Sequence, residues 1–226
     1  MKEEQIDSII RLIKREVVPA IGCTEPAAVS LCVAKATETL GKRPEKINLR
    51  LSGNIIKNAM GVGIPGTGMI GLPIAVALVG KSEYSLEVLR DVDSAAIEAG
   101  KQYIAEDRIR IDHHKNPPSI LHIEVEVEAD GHKAFAVISG SHTNFIRIEK
   151  DGEVLFEKSC DQAAAGECDE ELNEATVYEF ATTAPIEKIR FILEAATMNR
   201  HAAELALNKN FGHCLGSVIR RDGRRI

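Results

Sequence analysis

The segment Ile123–Glu128 constrains this chain more than any other. Ile123, Val125 and Val127 alternate with Glu124, Glu126 and Glu128. Successive side chains of a strand point to opposite faces, so this pattern makes one oily face and one acidic face. Such a strand belongs in an antiparallel sheet that is wet on one side and covered by helices on the other. Asp130-Gly131 follows at once, and Asp151-Gly152 comes later; both dipeptides suit tight hairpin turns. The neighbouring segments 108–112, 120–128, 133–139, 144–150 and 154–158 read as about five strands. Lys46–Ser52 adds a half-buried strand, with Ile47, Leu49 and Leu51 set against Asn48 and Arg50.

Helical periodicity frames this sheet. Ile6, Ile9, Ile10, Ile13 and Val17 recur at helical spacing and predict an amphipathic helix over 3–18, ended by Pro19. A second helix is predicted to run to Leu40. Its start has Thr24 as N-cap, Glu25 in the first turn and Pro26 where a missing N–H costs nothing. Further helices are predicted at 53–60, 72–79, 84–106, 174–183 and 185–209. Ser159–Asn173 reads as an acidic loop and 220–226 as a frayed basic tail. The expected fold is α+β: an antiparallel sheet with helices on one side, plus N- and C-terminal helices, as one unit over 1–226.

Composition excludes several classes. Lys and Arg number 28 against 34 Asp and Glu, a net charge of -6, which argues against a nucleic-acid partner. No apolar run reaches the roughly 18 residues of a membrane span. The charged, amphipathic N-terminus is unlike a secretory leader. Five cysteines, an odd count, fit a reducing cytoplasm better than a disulfide framework.

Four stretches could carry chemistry. Cys23 follows Gly22 and lies just ahead of a helix N-terminus, where the dipole favours a thiolate that could act as nucleophile or metal ligand; a capped helix with an incidental cysteine is the plainer alternative. Gly61, Gly63 and Gly66 match G-x-G-x-x-G, and Gly66, Gly68 and Gly71 match it again. No strand precedes them, so a dinucleotide site is not expected. Glycines around Pro65 and Thr67 can nevertheless bring backbone N–H groups close to an anion, or else form a tight packing loop. Asn54, Lys57 and Asn58 lie at i, i+3 and i+4 and would share a helix face, one cation between two amides, suited to a carboxylate or to plain solvation. Ser141, His142, Thr143 and Asn144 concentrate polar groups in a turn, with His142 able to titrate near neutrality. Cys32 is expected in the core. His113-His114 reads as an exposed turn before Pro117-Pro118. No C-x-x-C spacing suggests a complete zinc site built from cysteines.

Taken together and in order, PAIGCTEPAAVSL, SGNIIKN, GIPGTGMIGLPIA, SGSHTN and RFILEAATMN resemble the N-terminal half of the iron–sulfur L-cysteine desulfidase family, which is related to the alpha chain of L-serine dehydratase. The resemblance runs from about Glu16 to His213. It implies a cytoplasmic [4Fe–4S] lyase that releases pyruvate and ammonia from a small amino acid, with Cys23 as the first cluster ligand. It also implies that the other ligands lie in a C-terminal half beyond Ile226, so this chain alone is expected to lack the cluster and the activity. Substrate contacts would come from Asn54, Lys57, Asn58, Gly66, Thr67, Gly68, Ser141, Thr143 and Asn144, with Lys57 on the carboxylate and His142 orienting substrate or moving a proton. Expected partners are the amino acid, a separate C-terminal half or a second copy of the chain, and neither nucleic acid nor membrane. The alternative is a non-catalytic amino-acid-binding or structural module.

Overall fold

The computed structural model describes residues 1–159, 172–208 and 214–221. The chain divides into two compact units, Val18–Glu167 and Met1–Val17 with Cys168–Ile226, where the sequence reading treats 1–226 as one.

The larger unit is built on a six-stranded sheet. Its strands are β1 (Lys46–Leu51), β4 (Ile109–His113), β5 (His122–Ala129), β6 (His132–Ser139), β7 (Phe145–Lys150) and β8 (Glu153–Glu157), in the order β4-β1-β5-β6-β7-β8. β5 to β8 are joined by antiparallel pairs, as the hairpin turns require, and β1 also pairs antiparallel with β5. β4, however, runs parallel to β1, with Leu49 beside Ile111. The sheet is therefore mixed and six-stranded, not the antiparallel sheet of about five strands that the sequence suggests. The cause is the connection: more than fifty residues separate β1 from β4, and a long helical crossover returns a chain to the same edge in parallel. The α+β class itself stands.

The crossover carries α3 (Gly53–Ala59), a two-stranded ribbon of β2 (Gly63–Ile64) and β3 (Met69–Ile70), α4 (Leu72–Ala77), a 3₁₀ turn (Ser82–Glu87) and α5 (Ser94–Ala105). The predicted single helix over 84–106 is broken. Ser85 has φ 50°, which a helix cannot accommodate, and Asp93 starts α5 as a true N-cap, accepting from the Ala96 N–H at 2.8 Å.

The alternation in β5 sorts as expected. Ile123, Val125 and Val127 are buried with Ile47, Leu49, Leu51, Ala136 and Ile138, against Val29, Leu31, Cys32 and Val33 of α2 (Thr24–Leu40). α2 is buried almost all round, which explains its weak amphipathicity. On the other face each β5 glutamate meets a cation. Glu124 pairs with Arg50 at 2.6 Å, and Lys133 reaches Glu126 at 3.3 Å and Glu128 at 3.9 Å.

The smaller unit is helical. Ile6, Ile9 and Ile10 of α1 (Glu3–Glu16) bury with Phe180 of α6 (Glu174–Thr183), and Lys188 of α7 (Ile186–Ile189) bridges Glu3 and Asp7 at 2.8 and 2.9 Å. The helix predicted over 185–209 is split into α7 and α8 (Ile192–Asn208). The predicted tail is in part helical: Arg220 and Arg221 end α9 (Leu215–Arg221). Residues 222–226 and most of the predicted acidic loop, with Cys160 and Cys168, lie outside the described residues, as does His213.

Candidate functional site

The orientation of α2 places the site. Lys42, just past its C-terminal end, pairs with Asp130 in the β5–β6 turn at 2.7 Å, and Lys150 Nζ donates to the Leu40 carbonyl at 3.4 Å. Midway along, the Cys32 thiol donates to the Ala136 carbonyl at 3.4 Å. A 17-residue helix is about 25 Å long, close to the length of an eight-residue strand. The N-terminus of α2 therefore lies at the end of the sheet opposite the β5–β6 turn. That same end holds the start of α3 after β1 and the Ser139–Asn144 turn after β6. It is sewn together by backbone bonds from Ser52 N–H to the His122 carbonyl, 2.9 Å, and from Gly140 N–H to the Leu121 carbonyl, 3.0 Å.

Cys23 is itself the N-cap residue, in extended conformation, and Thr24 is the first residue of the helix rather than its cap. The Cys23 thiol donates to Glu25 Oε2 at 2.9 Å. The Thr24 hydroxyl donates to the same oxygen at 3.3 Å, and Asn58 Nδ2 donates to Glu25 Oε1 at 3.1 Å. One carboxylate thus ties the cysteine turn to α3. Asn54, Lys57 and Asn58 share the face of α3 opposite the buried Ile55 and Ala59; Asn54 and Lys57 are exposed and Asn58 is half-buried.

The glycine-rich segment meets the same turn. A Cβ on Gly22 would lie 3.0 Å from Pro65 Cγ, and Gly22 has φ +78°. Thr67 is nine-tenths buried and its hydroxyl is spent on the ribbon, donating to the Ile64 carbonyl at 2.7 Å and accepting from Met69 N–H at 3.0 Å. Thr67 is therefore a structural residue of the loop, while Gly66 and Gly68, both at positive φ and exposed, form its rim. Asn144 is similarly committed: Nδ2 donates to the Ser139 carbonyl at 2.7 Å and closes the turn. Ser141 and Thr143 are exposed and His142 is half-buried.

The electrostatics of Cys23 run against the sequence expectation of a lowered pKa. Burial, then the hydrogen bond to Glu25 and its negative charge, push the thiol above its ordinary value, outweighing the backbone N–H groups of Glu25 and Thr24. Glu25 is shifted the other way: the Cys23 hydrogen bond holds its carboxyl below the usual range against the effect of burial, helped by its own backbone N–H, Asn58 and Thr24. The resting pair is a protonated thiol on a carboxylate.

Over 226 residues the chain is 56% identical to a UPF0597 protein of Bacteroides fragilis, which covers 97% of this chain and 52% of that protein. Similar matches include UPF0597 proteins of Bacteroides thetaiotaomicron, 56% identical over 227 residues (97% and 52%), and Porphyromonas gingivalis, 43% identical over 228 residues (96% and 53%). The chain spans about half the length of these curated relatives. No family model and no solved structure matches it.

The donor set can be tested against an iron–sulfur cluster. Such a cluster takes about four protein ligands, or three where one iron stays open. In the described part of the larger unit, Cys23 is half-exposed, but Cys32 is fully buried between α2 and the sheet, where burial drives its thiol pKa far up. Cys23 fits one ligand position; the described residues of that unit do not complete a set. Among the described residues no helix is long and apolar enough to cross a membrane.

Three side chains outside the expected site also converge. His122 Nε2 lies 3.0 Å and His114 Nε2 3.5 Å from Glu124 Oε1. His114 was expected in an exposed turn; it is half-buried, because the parallel register of β4 carries residue 114 onto the sheet face that holds Glu124. Glu25 and this triad are what the sequence reading missed. Glu25 had one available signal, its spacing of two from Cys23. The parallel β4–β1 pairing that brings up His114 had none.

Proposed function

We propose that this chain is the N-terminal, substrate-gripping portion of a [4Fe–4S]-dependent lyase of the L-cysteine desulfidase and L-serine dehydratase type, acting in the cytoplasm. The observation that carries the reading is the hydrogen-bonded chain Cys23–Glu25–Asn58, which joins two of the stretches expected to share a site. The Pro65–Gly22 contact brings the glycine segment to the same turn, and the β6–β7 turn bearing His142 lies at the same end of the sheet.

In this reading Lys57 holds the substrate carboxylate, with Asn54 and the N–H groups at Gly66 and Gly68 as further donors, while Ser141, Thr143 and His142 orient the amino acid or carry its proton. Cys23 supplies one cluster ligand. The bound cluster would contribute Lewis-acid activation of the substrate, and its remaining ligands would come from a C-terminal half corresponding to the rest of the longer relatives. Glu25, which accepts the Cys23 thiol hydrogen bond, would pass that proton on to solvent when the thiol became a ligand, since a ligating thiol must be deprotonated.

The test is coexpression, under anaerobic conditions, of this chain with a polypeptide corresponding to the C-terminal half of the relatives. Iron and sulfide that copurify with the pair, and are lost in Cys23→Ala, support the reading. A pair that binds iron and sulfide equally well with Cys23→Ala refutes it.

A further inference from the structure

A metal site lies on the other face of the sheet: we propose that His114, His122 and Glu124 bind a divalent transition ion of the zinc class. This rests on the triad alone and not on the lyase reading.

The geometry is close to what an ion requires. A tetrahedral zinc with bonds of about 2.1 Å holds its ligand atoms roughly 3.4 Å apart. The two imidazole Nε2 atoms lie 3.0 and 3.5 Å from Glu124 Oε1, and all three ligand atoms fall within 4.8 Å of one another. The rings meet edge to face, centroids 5.2 Å apart at 80°, so that two nitrogens converge on one oxygen without stacking. Small ring rotations close the remaining gap. Two histidines and a glutamate are also the donor set of zinc sites that keep a fourth position open.

Hydrogen bonding around the triad favours a cation at its centre. His122 Nδ1 lies 3.0 Å from Ser139 Oγ, whose hydroxyl faces the Leu121 carbonyl at 3.5 Å. When the serine donates to that carbonyl it accepts from Nδ1–H, and the Nε2 lone pair then points at a carboxylate oxygen. In that tautomer a positive centre between them makes the contact favourable, and this serine–histidine support is the arrangement that fixes a metal-bound tautomer. One proton can bridge His122 to Glu124, but it leaves His114 converging on the same oxygen with its buried Nδ1 unpartnered. The Arg50 guanidinium, 2.6 Å from Oε2, keeps the carboxylate charged and leaves Oε1 for the ion.

The triad is supported and reachable. The His122 side chain is 3% exposed, Glu124 14% and His114 20%. Glu124 and Arg50 also line a cleft of about 280 Å³ with Arg110, Asp112, Glu126 and Phe135. Of the three ligands only Glu124 borders that cleft, and the 20% exposure of His114 gives the ion a second approach.

Cobalt(II) is the probe, because its visible bands report tetrahedral geometry and its near-ultraviolet charge-transfer band reports thiolate ligation. The 226-residue protein is expected to take up one equivalent of Co²⁺ with visible d–d bands and no thiolate band, and Zn²⁺ should displace it. His114→Gln and Glu124→Gln should each weaken Co²⁺ binding at least tenfold. His114→Gln is the cleaner variant, since its buried Nδ1 has no partner to lose, and unchanged far-ultraviolet circular dichroism would show that it folds. No uptake by the wild-type protein, uptake with a thiolate band only, or equal affinity in wild type and His114→Gln would overturn the proposal.

Discussion

Gly22→Ala should uncouple the cysteine turn from the glycine segment, and the crowding at Gly22 sets the direction of the effect. Gly22 and Gly41 both have positive φ, +78° and +85°, but different surroundings. A Cβ at Gly41, the C-cap of α2, meets nothing within 4 Å, whereas one at Gly22 meets Pro65 Cγ at 3.0 Å and Cδ at 3.2 Å. An alanine held in the left-handed region costs about 1–2 kcal/mol, and Gly41→Ala should lose that much and no more. Gly22→Ala bears the strain of its own positive φ plus overpacking against Pro65 of about 1–3 kcal/mol, so it should lose more than Gly41→Ala. Hydrogen exchange of β5 and β6 amides, read by mass spectrometry, reports opening of the larger unit without assuming that both units unfold together. Combining Gly22→Ala with Pro65→Ala should recover the overpacking part as a coupling of about 1 kcal/mol or more. If Gly22→Ala costs no more than Gly41→Ala, or if Pro65→Ala recovers nothing, the glycine segment is not seated on the cysteine turn.

Other perturbations probe neighbouring steps. Glu25→Gln removes the negative charge that opposes the Cys23 thiolate, so alkylation of Cys23 by iodoacetamide at neutral pH should quicken, and an unchanged rate measured by peptide mass spectrometry would contradict the assigned contact. At Glu124 burial acts to raise the carboxyl pKa, but the His122 hydrogen bond and the charges of Arg50, His122 and His114 together hold it below the ordinary value. Its stabilisation is therefore fully present above the unfolded-state pKa and is lost as pH falls through the lower folded-state value; Glu124→Gln should flatten that acid limb in urea titrations, and an unaltered limb would refute the pairing. Lys57→Ala should weaken calorimetrically measured amino-acid binding far more than Lys101→Ala, whose side chain sits on an exposed face paired to Glu98; equal losses would remove Lys57 as the carboxylate clamp.

Much of this architecture was legible because period-2 alternation and hairpin dipeptides are local signals. Each strand from β5 to β8 lies within two residues of its expected bounds, and α6 over Glu174–Thr183 coincides with its expected bounds. The parallel placement of β4 was not legible, since strand direction depends on where a long crossover returns and not on the composition of the strand. The interruption between the 3₁₀ turn and α5 was hidden by the helical spacing of Leu86, Leu89, Val92, Ala96 and Ala99, which runs across it, although Asp93 before Ser94 carried a readable cap signal. In the candidate site, the sequence brought out Cys23, Lys57 and the glycine segment as residue types suited to chemistry. It could not show that Thr67 and Asn144 spend their side chains closing their own turns, or that Glu25 would hold the Cys23 proton. Those facts depend on hydrogen-bond partners, one of them, Asn58, more than thirty residues away from Glu25.

Iron and acid-labile sulfide content after anaerobic reconstitution decides whether Cys23 is a cluster ligand completed by a second polypeptide. The 226-residue chain alone should retain no stoichiometric cluster and release no pyruvate from L-cysteine, while the pair with a C-terminal half should bind iron and sulfide in equal amounts and do so only with Cys23 intact. A stable cluster on the 226-residue chain alone, with pyruvate released from L-cysteine, would show that Cys23 needs no partner polypeptide.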